Sequence, residues 1–393
     1  MLRGLFLRIV GLLGTNLLYR NKKIDPAKIR RVLVNRSDRL GDAIISLPFL
    51  LELQKYFEVT VLTSAYNDAL LKPFLTTHIV IKKPPTLKEF SAAIFKNLFS
   101  LNFPRGQRKH KPPFDLYLDL IGIRGLSVFL KIKKEGLSKY YVGYNIFLWS
   151  WLLDFAYQGS LELSGKNIVE GSRELLKESL GIQLDIPDYV DLSPLVTIPS
   201  DLTLPPSFIL CNIAGFDRFR GPSLEMYAQL LESLPSDIPI VVMDEPAQPH
   251  LKEFKRLSKR AGLIYLQRDY SINELLFIAK HSLLYLGSDS GISHILENPT
   301  HCIIFFGTEK PSAWKPFSKN PYTRKKIKKM MIEETITSVG LVKKIIYSPV
   351  WCRPCYDIGC RELRCIKNIA VTEIRDEVTS LLSVQKPFLL NKE

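Results

Sequence analysis

The chain has 393 residues, 46% of them hydrophobic and 24% charged, with a formal net charge of +15 and a pI near 9.4. This length exceeds one ordinary core and calls for two domains, and the composition excludes a disordered chain. The basic excess points to an anionic partner, a nucleotide or a membrane surface; no zinc-finger, homeodomain or RNP-type pattern supports nucleic acid.

Residues 1–27 carry Leu2, Leu5, Phe6, Ile9 and Val10, interrupted by Arg3 and Arg8 and followed by Arg20, Lys22 and Lys23. The charges break a spanning helix and no small-residue cleavage site follows. The segment reads either as a helix lying among the headgroups of an anionic leaflet or as one docked on the protein itself.

From residue 28 the grammar is α/β. Val32, Leu33 and Val34 form a buried strand, Gly41 and Asp42 a sharp turn, and 43–57 an apolar helix. A carboxylate at Asp42 is either a helix cap or a catalytic group. Strands follow at 59–63 and 78–82. Between Thr86 and Pro113 phenylalanines alternate with lysines and arginines, a membrane-facing or acceptor-facing element or else a solvated loop. Strands at 114–120 and 140–144 and an amphipathic helix at 167–180, stopped by Gly181, complete the half. The proline-bearing stretch 186–206 reads as the linker.

The second half restarts with strands at 207–213, 238–243, 263–266, 283–287 and 301–307, helices at 224–234, 272–280 and 291–297, and a closing helix at 371–382. The charge run 323–330 is read as a solvated face. Domains are expected at 28–195 and 196–345, both doubly wound, with a cysteine-bearing segment at 346–393.

Three turns of the second half follow apolar strands, where open parallel sheets bind ligands. At 212–221, Arg218 or Arg220 and the backbone N–H groups suit a diphosphate; Asp244 and Glu245 suit ribose hydroxyls; Ser290 and Gly291, in the run 287–294, offer N–H donors and a hydroxyl to an anion. Individually these are ordinary turns, and the argument rests on their sharing one sheet edge. A nucleophile elbow, a Walker loop and a dinucleotide fingerprint are all missing, which excludes the corresponding enzymes.

Of six cysteines, Cys211 and Cys302 sit in apolar runs. Cys352, Cys355, Cys360 and Cys365 suit a structural zinc, with reduced thiols or labile disulfides as the alternative. Lacking a secretory signal, the chain is expected in a reducing cytosol.

The runs Leu40–Pro48, Gly215–Tyr227 and Asp289–His294, then Phe306–Thr308 with Trp314 and Pro316, and the closing cysteines resemble the heptosyltransferase family, glycosyltransferase family 9, in the same order. The resemblance implies a GT-B architecture, two Rossmann-like domains facing a central cleft. Its amino-terminal domain would take a lipopolysaccharide acceptor and its carboxy-terminal domain ADP-heptose, with inversion and no metal or cofactor in catalysis. Asp42 matches the family's general base and Arg220 its phosphate-binding lysine. Asp289, Ser290, Gly291 and His294 match its Asp-Thr-Gly-x-x-His motif. Gly221 and Pro222 depart from the family, which carries a bulky residue and Trp there. A catalytically silent nucleotide-sugar or glycolipid binder on the same fold is the competing expectation. Either protein would work at the cytoplasmic face of the inner membrane.

Overall fold

The computed structural model describes residues 21–81, 112–145, 147–158, 166–199, 202–213, 219–244, 250–353, 355 and 360–389. They form two compact units that divide between Ile186 and Pro187.

The first unit holds a six-stranded parallel sheet: β1 Arg31–Arg36, β2 Glu58–Ser64, β3 Thr77–Ile81, β4 Phe114–Asp119, β5 Ser138–Tyr144 and β6 Phe155–Tyr157, in the order β3-β2-β1-β4-β5-β6. Helices α1 Leu40–Leu53, α2 Ala65–Leu71, α3 Leu126–Lys134 and α4 Ile168–Leu180 connect and cover these strands. Both sheet faces are therefore packed, and β1 buries every residue after Arg31. The strand order reverses between β1 and β4, the switch point at which doubly wound sheets open a crevice beyond their carboxyl ends. The turn after β1 lies there.

Helix α1 begins at Leu40, three residues ahead of its apolar run, and ends at Leu53 rather than Phe57. It tolerates Pro48 in its interior, at the loss of one i→i−4 bond, because nearly all its residues from Gly41 to Leu53 are buried. Helix α4 is stopped at both ends as its sequence requires: Asn167 and Glu170 form a capping box, and Gly181 adopts φ +71°. Residues 21–27 belong to this unit. The Asn21 side chain exchanges hydrogen bonds with the Ala156 backbone, Lys22 pairs with Asp154 at 2.6 Å, and Ile24 is buried. Residues 1–20 and most of 86–113 lie outside the described residues.

The second unit holds eight strands: β7 Phe208–Asn212, β8 Ile240–Asp244, β9 Leu263–Gln267, β10 Ser282–Ser288, β11 His301–Phe306, β12 Thr323–Ile327, β13 Met330–Ile336 and β14 Val342–Tyr347. Their order is β12-β13-β14-β11-β10-β7-β8-β9, parallel from β14 to β9 and antiparallel at β13 and β12. The charge run is thus the exposed edge strand β12, whose basic residues blunt the open edge. Helices α5 Leu224–Ser233, α6 Leu251–Leu257, α7 Ile272–Lys280 and α8 Gly291–Leu296 complete the doubly wound part. The closing helix α9, Val371–Leu389, packs on α5 and β10 and gives Ile374, Val378, Leu381 and Leu382 to the core. The segment after 346 is therefore integral to this unit.

Candidate functional site

Asp42 lies in the first turn of α1 and is buried. It is not the cap: Arg39 holds that position and makes no side-chain capping bond. Below it stands Arg36, the last residue of β1, wholly inaccessible to solvent. The Arg36 guanidinium grips Asp38 through two hydrogen bonds of 2.9 and 2.5 Å, and its third nitrogen reaches Ser46 Oγ at 3.1 Å and the Leu120 carbonyl at 3.2 Å. Ser46 in turn donates to the Asp42 carbonyl at 2.7 Å. Beside this network Asp119 ends β4. One oxygen accepts from the N–H groups of Ile121 and Gly122, the other from the Tyr117 hydroxyl, and burial pushes its carboxyl up despite these bonds. Asp119 thereby shapes the loop across the switch point.

In the second unit the turn after β10 is fixed by buried hydroxyls. Ser288 meets the Tyr227 hydroxyl at 2.9 Å, and Ser293 meets that of Tyr285 at 2.7 Å. Burial raises both phenols well above their ordinary value, so they stay protonated. Ser290 caps α8 by accepting from Ser293 N at 3.3 Å. Asp289 and His294 are buried with Oδ1 and Nε2 3.6 Å apart, and His294 Nδ1 has no partner among the described residues.

Arg220 is brought to this turn by backbone packing. Gly307 N donates to the Arg220 carbonyl at 2.7 Å and Thr308 N to that of Phe219 at 2.8 Å, which lashes the segment to the end of β11. On its other side Gly221 sits on Ser288: a Cβ there would stand 1.9 Å from Ser288 Oγ. Glycine at 221, a departure from the family pattern, is thus imposed by the close approach of this backbone to β10.

Asp244 ends β8 and is buried. Its Oδ2 accepts from the N–H groups of His250 and Leu251, both at 2.8 Å, and so caps α6. Arg218 and Glu245 lie outside the described residues.

The four late cysteines line one cavity of about 550 Å³ together with Thr308, Lys329, Trp351, Arg353 and Arg364. Among the described residues no group of three or more ligating side chains is placed to hold an ion. Cys352 is exposed and Cys365 buried, and burial pushes both thiols up. Arg353 lies between this cavity and β11. It donates to the carbonyls of Phe306, at 3.1 Å, and Gly307, and burial lowers its pKa to about 10. Neither Arg353 nor Arg36 stands out in sequence, since an arginine next to a turn reads as surface charge; only the strand–turn context of Arg36, Ser37 and Asp38 hints at a buried pair.

Two Rossmann-like units with polar turns at the carboxyl edges of their parallel strands define the GT-B class. Among solved structures, the chain is similar to E. coli heptosyltransferase WaaC with ADP, at TM-score 0.55 and 19% identity over 74% of this chain and 91% of that one. Similar too are E. coli ADP-heptose lipopolysaccharide heptosyltransferase II, at 0.59 and 14% over 91% and 100%, and a family 9 glycosyltransferase of Veillonella parvula, at 0.54 and 16% over 76% and 86%. At these identities the likeness establishes a heptosyltransferase-like fold. No protein-family model and no curated protein matches the chain.

Proposed function

We propose that the protein is a glycosyltransferase that moves a sugar, heptose, from an ADP-activated donor to a lipopolysaccharide core or related glycolipid, inverting the anomeric centre without a metal. The observation that supports this reading is the seating of the Arg220–Gly221 backbone on Ser288, at the end of the strand that leads into the Asp289–His294 turn. Solved structures of similar fold with ADP and with ADP-2-deoxy-2-fluoro heptose support the donor class.

A sugar hydroxyl is a weak nucleophile. In the proposed step Asp42 takes its proton as the oxygen bonds the anomeric carbon, and the bond from that carbon to the diphosphate breaks with its electron pair leaving on ADP. Arg220 and the N–H groups of the 290–291 turn stabilise the growing negative charge; arginine does this bidentately where the family has lysine. The acceptor would be reached at the cytoplasmic face of the inner membrane, to which the basic amino-terminal segment adheres.

The test begins with thermal shift against a panel of nucleoside-diphosphate sugars. A true donor at a hundred times its Kd stabilises by about 2.7 kcal/mol, and Arg220→Met loses that shift. Asp42→Asn is expected to keep the shift while transfer falls by roughly 10²–10⁴. Stabilisation of the wild-type chain without transfer would identify a silent binder. No response to any nucleotide would remove both readings, and an Asp42→Asn variant with most of its turnover would remove Asp42 as the base.

A further inference from the structure

We propose that Arg36 is a positioning residue for Asp42, a buried cation that holds the turn after β1 and the first turn of α1 in register through Asp38 and Ser46. The proposal rests on the reading of Asp42 as the base and names what keeps that base in place.

Arg36 is the bulkiest kind of side chain to be buried completely, and its guanidinium is satisfied on every side: Asp38 Oδ1 and Oδ2, Ser46 Oγ and the Leu120 carbonyl. These partners come from the turn, the helix and the end of the neighbouring strand β4, so one cation ties together three pieces of the switch point. Asn67 of α2 adds a fourth by donating to the carbonyls of Asp38 at 3.0 Å and Arg36 at 3.4 Å. Ser46 relays the arrangement to Asp42: it accepts from Arg36 and donates to the Asp42 carbonyl one helical turn earlier.

A buried ion pair is a poor source of stability, since well-packed apolar residues commonly serve as well or better. A device for fixing geometry accounts for it more directly. The charged and titratable groups facing Arg36 are Asp38 on its own turn, Asp42 on α1 and Tyr144 on β5. Burial alone would lower Arg36, but the charge and hydrogen bond of Asp38, then the charge of Asp42, hold it above its ordinary value.

Two variants test this. In Asp38→Asn the carboxylate nearest Arg36 is gone, leaving Asp42 as its remaining negative partner. With the turn no longer gripped, kcat is expected to fall roughly tenfold while both KM values and the ADP-induced thermal shift stay unchanged. Ser46→Ala cuts only the relay; kcat is expected to fall roughly tenfold, as for a displaced catalytic group, with both KM values and the ADP-induced thermal shift unchanged. A wild-type kcat in folded Asp38→Asn overturns the proposal. Should that variant not fold, a wild-type kcat in Ser46→Ala does so. If Asp42→Asn is fully active, the base assignment has failed and the proposal falls with it; if Asp42→Asn is inactive while Asp38→Asn and Ser46→Ala keep the wild-type kcat, the proposal alone has failed.

Discussion

Gly221 shows how one missing methyl fixes a site. With Ser288 Oγ 1.9 Å and Ser288 Cβ 2.6 Å from where its Cβ would stand, Gly221→Ala must push the Arg220 segment off β10 or break the Ser288–Tyr227 hydrogen bond. Overpacking of this kind costs about 1–3 kcal/mol. The variant is expected to unfold at correspondingly lower denaturant concentration and to lose ADP-induced stabilisation; normal stability and normal nucleotide response would show that the segment yields freely. At this scale the sequence was a partial guide. The 289–294 turn is legible because a strand end, a small polar pair and a helix start are contiguous. Asp244 is harder to read, because a carboxylate after a strand looks the same whether it faces a ribose or holds the start of the next helix. Arg36 is illegible as a buried group, since its counter-ion and its relay come from different elements.

At the level of elements, most parallel strands were readable, but the short edge strand β6 and the antiparallel hairpin were not. Strands β13 and β14 carry Glu333, Lys343 and Lys344, all buried, and these charges mask the apolar alternation that announces a strand. The fold tolerates them because each is paired at a distance in sequence: Glu333 with Lys315 at 2.6 Å, Lys343 with Glu297 at 2.7 Å, and Lys344 with Glu334 at 2.9 Å and with Glu377. Burial alone would raise the Glu333 carboxyl, yet the hydrogen bonds of Lys315 and Tyr347 and the charges of Lys315 and Arg324 hold it below the ordinary value of 4.5. A depressed carboxyl stabilises the fold above its unfolded value, and this contribution disappears as pH falls through the lower folded value. Glu333→Gln should therefore be less stable than wild type in urea at pH 7, with the gap closing toward pH 3. Lys315→Met, which leaves buried Glu333 only Arg324 and the Tyr347 hydroxyl as partners, is expected to cost roughly 1.5–3 kcal/mol at pH 7. A gap of equal size at both pH values would mean that packing rather than charge holds the hairpin.

For the whole molecule, the doubled α/β grammar foretold two units because each half supplies enough apolar strands for its own sheet. The structure moves one limit that composition could not fix. Residues 1–27 form one basic, apolar run in sequence, but Asn21, Lys22 and Ile24 are held by the first unit, so a membrane-binding segment cannot extend through them without undoing those contacts. No helix among the described residues is long and apolar enough to cross a membrane. Any anchoring by this end must then come from residues 1–20, whose Arg3, Arg8 and Arg20 would each contribute about 1 kcal/mol near an anionic surface. Their sum of about 3 kcal/mol corresponds to roughly a hundredfold in partitioning. A chain beginning at Asn21 keeps the Asp154 pairing and should unfold like the full chain; one beginning at Asp25 would lose that pairing and confuse binding with stability. Flotation with anionic vesicles is expected to carry the full chain and leave the Asn21 chain behind, with the difference shrinking in zwitterionic vesicles and at high salt, where screening shortens the reach of the three arginines. Equal flotation of the two chains would remove the amino-terminal anchor and shift attention to the exposed basic edge strand β12 as the surface that meets lipid.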